Sequence, residues 1–260
     1  MTNVFPRPQA AMMSAREAAF KSSSKRRFDR QLFSTQTYQL RPDDETGAAR
    51  EALVDLVVDH LATYPDGDGI GYFLVEGASF GRSVEQVREF SRELFGAVWE
   101  RFRSRCRRIA PEREFFCAET VTEDGNIPIG LFGSHWSFKP PHADRNGVIF
   151  SHVYGPTVGF EGGDVFLIDA IAYFQTSGLH FDEALTWSDE PLEQKAVLRS
   201  EHFEAAVHGY GRRFGKMNHD RILFVNNTPE GLFHGATEIH AADPSNFSRV
   251  LHRCVVRERG

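Results

Sequence analysis

From about residue 112 onward the chain is cut into short apolar runs by turn residues, and this punctuation limits the folds open to it. The runs are Phe115–Thr122, Pro128–Phe132, Val148–Tyr154, Val165–Ala172, Arg221–Asn226, Ala236–His240 and Arg249–Val256, separated by Gly, Pro, Asn and Asp. Short segments of this kind read as strands, and many in succession read as a sandwich or jelly roll. The preceding part differs. Residues from Thr46 to Thr63 put Ala49, Leu53, Leu56, Val57, His60 and Leu61 at helical spacing, an amphipathic helix with one apolar stripe. A second helix opens with the capping-box pattern Ser83-Val84-Glu85-Gln86 and carries Val84, Val87, Phe90, Leu94, Val98 and Phe102 on one face. Between the two, Gly69–Val75 reads as a short strand. Helices followed by strands predict an α+β, mainly β, fold: a jelly-roll core with an N-terminal helical support layer. No Gly-x-Gly-x-x-Gly after a strand points to a dinucleotide-binding fold.

A chain of 260 residues, 41% hydrophobic and with 23 Phe, is large enough for one aromatic-rich core. We expect a single domain over 41–260, with the helical layer at 46–110 and the barrel at about 112–256. Residues 1–40 hold seven Lys/Arg against two acids and read as a basic arm, solvated, folded over the barrel mouth or serving as a transit peptide. Residues 175–215, with His180, Trp187, His202 and His208 among acids, read as an insertion between strands. The net charge of −6 argues against a nucleic-acid partner or an anionic membrane, and no apolar run is long enough to span a bilayer. Three cysteines without CxxC spacing argue against a disulfide framework or a structural zinc. With no secretory apolar region at the start, the expected location is cytoplasmic. The oligomeric state is not legible.

The residues that carry chemistry lie in the strand-rich part. His142-Ala-Asp144 follows Pro140-Pro141, which favours an extended approach, and precedes the turn Arg145-Asn146-Gly147. On an extended segment the two side chains point to the same face, as two ligands of one ion must. A second histidine, His234, lies in Leu232-Phe233-His234-Gly235, after the apolar run Arg221–Asn226. Two histidines and one carboxylate make the facial triad that suits non-haem Fe(II) with open positions. His208, in Ala206-Val207-His208-Gly209, is a rival second ligand, but no basic residue on a clean strand follows it. Arg249 does follow His234, and by alternation Arg249, Leu251 and Arg253 share one face. A buried Arg there can pair a carboxylate in bidentate fashion, although an arginine on an edge strand can equally face solvent.

This order of His-x-Asp, distal His and downstream Arg, with the Gly162-Gly163 hinge into Val165–Ile168, resembles the Fe(II)/2-oxoglutarate-dependent dioxygenases over roughly residues 115–256. The resemblance implies a double-stranded β-helix in which His142, Asp144 and His234 hold Fe(II). It further implies 2-oxoglutarate on the metal with its far carboxylate on Arg249, Arg253 being the alternative anchor. In the family a hydroxyl often follows that Arg by two residues. Leu251 stands there instead, so Tyr154 or Ser151 is expected to supply it. O₂ would be consumed, succinate and CO₂ released, and an unactivated C–H bond hydroxylated. Related halogenases lack the carboxylate, so Asp144 favours hydroxylation over halogenation. Glu119, His135, Trp136 and Asn227 are the expected substrate-side residues. The expected substrate is a small polar metabolite, a free amino acid first, with Glu119 meeting its amine. Two other readings stand: a cupin-like metal enzyme that does not use 2-oxoglutarate, and a non-catalytic ligand-binding jelly roll.

Overall fold

A computed structural model of the chain describes residues 37–64, 69–110, 112–123, 141–144, 147–190, 193–227, 232–237, 239–241, 246 and 248–259. In chain order the elements are β1 (Thr37–Gln39), α1 (Gly47–Ala62), β2 (Tyr72–Glu76), α2 (Val84–Arg105), β3 (Phe115–Glu123), β4 (His142–Asp144), β5 (Gly147–Val158), β6 (Phe160–Gly162) and β7 (Asp164–Asp169). They continue with α3 (Ala170–Ser177), α4 (Phe181–Ala184), β8 (Leu185–Glu190), β9 (Glu193–Leu198), α5 (Ser200–Tyr210), β10 (Gly211–Lys216), β11 (Arg221–Asn226), β12 (Leu232–Ala236), β13 (Ile239–Ala241) and β14 (Ser248–Glu258).

Two six-stranded sheets share one core. The first runs β1-β2-β11-β5-β14-β3 and the second β10-β7-β12-β4-β9-β8, while β13 and β6 form a small separate ribbon. Between the sheets pack Phe150, Tyr154, Leu223, Leu251 and Val255 from the first and Val165, Leu167, Phe214 and Leu232 from the second. Strand alternation then decides what lies behind each sheet. Ile149, Val153, Phe224, Cys254 and Val256 turn away from this interior and bury the apolar faces of α1 and α2. Ala143, Phe166, Ile168, Ala196 and Phe233 turn away on the other side and pack on α3 and α5. The order is helix, sheet, sheet, helix, so the central strands are apolar on both faces.

The N-terminal helices lie close to where the sequence places them. At the start of α2, Ser83 Oγ accepts from the Gln86 amide (3.3 Å) and Gln86 Oε1 accepts from the Ser83 amide (2.8 Å), which is the expected capping box. In α1 the buried stripe is Leu53, Val54, Val57, Val58 and Leu61, whereas Leu56, expected inside, is exposed. β1 falls inside the segment read as an arm and pairs in parallel with β2.

Three boundaries differ for identifiable reasons. The run Val165–Ala172 is not one strand, because Asp169 accepts from the Ala172 amide (3.0 Å) and caps α3. The run Ala236–His240 is not one strand either. Thr237 hydrogen-bonds Asp164 through both its amide (3.0 Å) and its Oγ1 (2.9 Å), so β12 ends before it and β13 begins after it. Residues 175–215 are no irregular insertion: they supply three strands of the second sheet and the outer helices. The Gly162-Gly163 hinge is as expected, both residues having φ near +75° (76° and 74°). Pro128–Phe132 lies outside the described residues.

The helical layer supports the first sheet without touching the interior, so its loss is read as stability alone. Phe102, fully buried in α2, is expected to cost about 3–5 kcal/mol when replaced by Ala. Urea unfolding measures this, and Fe(II) affinity of the folded fraction should not change.

Candidate metal centre

Two strands of the second sheet bring the expected ligands together. In β4, His142 and Asp144 point inward while Ala143 points to the outer core. His142 and His234 are a directly opposed pair between β4 and β12, and their ring centroids are 4.3 Å apart. His142 Nε2 lies 3.8 Å from Asp144 Oδ1, and His234 Nε2 lies 3.9 Å from Asp144 Oδ2. One ligand atom from each of the three residues lies within 4.8 Å of the others, and all three residues are buried. Two nitrogens and one carboxylate oxygen on one side of a point suit a divalent ion with open coordination positions. Burial holds the His234 imidazole well below its ordinary range, so it is neutral, as a ligand must be.

The end of β4 that carries Asp144 and the start of β5 are clamped from β11's end. Asn227 Nδ2 donates to the carbonyl oxygens of Asp144 (2.6 Å) and Gly147 (2.7 Å), and the Asn227 amide donates to Val148 (2.9 Å). A Cβ on Gly147 would lie 3.3 Å from Asn227 Nδ2, so the first residue of β5 has little room for a side chain. Asn227, expected beside the substrate, has its side-chain amide on the backbone of Asp144 and Gly147.

β14 contributes two arginines to the interior with different partners. Arg253 pairs with Asp144 Oδ2, and its guanidinium lies 4.9 Å from the Phe150 ring centroid. Arg249 is 1% exposed, among the largest fully buried side chains, with its guanidinium 5.0 Å from the Tyr154 ring and 6.0 Å from that of Phe160. Tyr154 thus meets Arg249 through its ring face, a cation–π arrangement, and burial raises its hydroxyl pKa. His152 also faces the interior. It is 5% exposed, stacks on Phe150 at 4.6 Å and lies 6.4 Å from the His234 ring. Burial, with Arg253 adding to it, pushes the His152 imidazole well below its ordinary value. Sequence reasoning missed His152, although its place two residues from both Phe150 and Tyr154 on one strand is the signal that finds it.

Other expected residues lie elsewhere. Ser151 is a correction: on a strand whose Phe150, His152 and Tyr154 face inward it must face the helices, and it pairs across the sheet with Cys254. Glu119 is a second correction. It sits opposite Cys254 on the helix side, accepts from His252 Nε2 (2.7 Å) and lies 3.9 Å from Arg92 of α2. His208 lies in the last turn of α5, in the outer layer, and is no ligand. His135 and Trp136 lie outside the described residues.

No protein-family model matches the sequence, and no curated protein does. Solved structures to which the chain is similar include a taurine dioxygenase from Burkholderia xenovorans, at 11% identity over 87% of this chain and 94% of that one, with a TM-score of 0.43. PvcB, an Fe, α-ketoglutarate-dependent oxygenase from an isonitrile synthetic pathway, matches at 13% identity over 85% of this chain and 88% of that one (TM-score 0.43). The iron and α-ketoglutarate-dependent endoperoxidase NvfI matches at 15% identity over 73% of this chain and 79% of that one (TM-score 0.37).

Asn227→Ala removes both side-chain contacts and is expected to weaken Fe(II) affinity about 10- to 100-fold. Ser151→Ala and Glu119→Gln should leave metal affinity as it is, and competitive chelation reads all three. A pH dependence also follows. Burial pushes the imidazoles of His152, His234 and His252 below the ordinary histidine range. The unfolded chain therefore takes up protons that the fold does not, as pH falls through about 6.5. Stability of the metal-free protein is fully present above that pH and declines below it. A urea midpoint unchanged from pH 8 to 5.5 would contradict this.

Proposed function

We propose that the protein is an Fe(II)/2-oxoglutarate-dependent oxygenase with a double-stranded β-helix core, hydroxylating a C–H bond of a small polar metabolite. The observation that carries this reading is the buried triad of His142, Asp144 and His234, facing the same interior as a buried Arg249. Bound Fe(II), with 2-oxoglutarate and O₂, supplies the oxidising chemistry. The protein's part is to hold, orient and keep dry. His142, His234 and one oxygen of Asp144 would hold the ion, while Arg253 pairs with Asp144 Oδ2 and restrains that carboxylate. Arg249, fixed against the rings of Tyr154 and Phe160, is the counter-charge for the co-substrate's far carboxylate. Phe150, Leu251 and Val255 line the space between with apolar surface, which excludes water and strengthens the ion pairs. Asp144, by filling a coordination position, favours hydroxylation over halogenation.

Substrate contacts are sought on β3. Thr120 pairs with Arg253 and Thr122 with Leu251, so both lie on the inner face of that edge strand. Neutral hydroxyls there suit a small polar molecule. Recognition of an amino-acid amine by Glu119 has lost its support, because that carboxylate lies on the other face.

Anaerobic addition of Fe(II) and then 2-oxoglutarate should produce the weak visible charge-transfer band of the chelate, and His234→Ala should abolish it. Arg249→Ala is expected to raise the apparent KM for 2-oxoglutarate on the order of a hundredfold, the cost of removing one partner of a buried charge pair. Bound iron with no band, and activity indifferent to Arg249, would favour a metal enzyme that does not use 2-oxoglutarate. Absence of iron binding would favour the ligand-binding jelly roll.

A further inference from the structure

β5 presents Phe150, His152 and Tyr154 to the interior, and the middle residue is neither one of the triad nor the partner of Arg249. Its neighbours on the strand mark two poles. The Phe150 ring lies 4.8 Å from that of the metal ligand His234, and the Tyr154 ring lies 5.0 Å from the Arg249 guanidinium. His152 lies between these poles on the strand, so a dicarboxylate running from the triad toward Arg249 passes it. Across the sheet His152 pairs with Arg253, which holds Asp144, and this sets it nearer the metal pole.

The side chain is 5% exposed, and its Nε2 has no hydrogen-bond partner among the described residues. Buried polar atoms are rarely left so, and one in the interior that holds the triad calls for an explanation. Stacking on Phe150 at 4.6 Å accounts for the ring but not for the nitrogen, since a phenyl group would stack as well.

We propose that His152 is a direct hydrogen-bond donor, through Nε2–H, to an oxygen of the co-substrate's metal-side half. This rests on the oxygenase reading. Arg249 then takes the far carboxylate, and His152 distinguishes a 2-oxo acid seated at the metal from a plain dicarboxylate held by Arg249 alone. A neutral imidazole donor suits this place, because it adds orientation without a third cation beside Arg249 and Arg253.

The test is calorimetric titration of 2-oxoglutarate into Mn(II)-loaded wild type, His152→Phe and His152→Gln, with melting temperatures of the metal-free proteins. His152→Phe keeps the ring and the stacking but removes the donor. It is expected to weaken 2-oxoglutarate binding about 10- to 100-fold, with Mn(II) affinity unchanged and the melting temperature not lowered. Glutarate has no 2-oxo group with which to chelate the metal and is held by Arg249 alone, so wild type and variant should bind it alike; a loss for glutarate equal to that for 2-oxoglutarate overturns the proposal. Equal 2-oxoglutarate affinity in wild type and His152→Phe overturns the proposal and leaves the oxygenase reading standing. No binding of 2-oxoglutarate to wild type overturns both. If His152→Phe melts lower than wild type, His152→Gln decides. Affinity restored toward wild type supports the hydrogen bond, and affinity as weak as that of the Phe variant overturns it.

Discussion

The opposition of His142 and His234 across β4 and β12 is the constraint on which the site depends. Directly opposed residues of an antiparallel pair have neighbouring side chains on one face, and alternation along β4 then delivers Asp144 to the same side. Strand register alone therefore fixes two ligands, and a period of two fixes the third. No long loop has to be ordered to assemble the triad. What the register does not supply is the exact pose of Asp144 at the strand end, and Asn227 restrains that through the carbonyls of Asp144 and Gly147.

The first sheet complements this from the other side of the interior. β5 and β14 bring Phe150, His152, Tyr154, Arg249 and Arg253 inward, and β12's His234 meets Phe150. A cation as deeply buried as Arg249 requires compensation, and two aromatic faces provide part of it. Arg253 obtains its compensation from a carboxylate. The two arginines, equivalent by strand position, are thus made different by what the rest of the interior offers each.

Much of this was legible in the sequence, because strand signals and ligand spacing are local. Alternation puts His142 and Asp144 on one face, whereas His234 and Arg249 are singled out by the resemblance, and the helix carrying Val87 through Phe102 follows from its period and capping box. The failures have a common physical origin. Ser151 and Glu119 adjoin the expected site along the chain, whereas strand parity sends each to the helix side. In β5 the residues on both faces are apolar, so hydrophobicity could not reveal which parity faces inward; only the cross-sheet partners decide it. Residues 175–215 contributed to the second sheet although no alternation announces β8 to β10, since their partners lie far away in sequence. Asp169 and Thr237 ended strands through side-chain bonds to the backbone that a scan for apolar runs does not detect.

That two-sided burial has a further consequence for β5. In a strand with one wet face, a slip of one residue is resisted because apolar groups would be driven into water. Here a slip would exchange Phe150 and Tyr154 for Ile149 and Val153 at little hydrophobic cost. What opposes it is polar: His152 would be moved among the apolar side chains beneath α1 and α2, and Gly147 would lose its hydrogen bond from Asn227. The groups that serve the metal centre are thereby also the ones that make the strand's alignment unique.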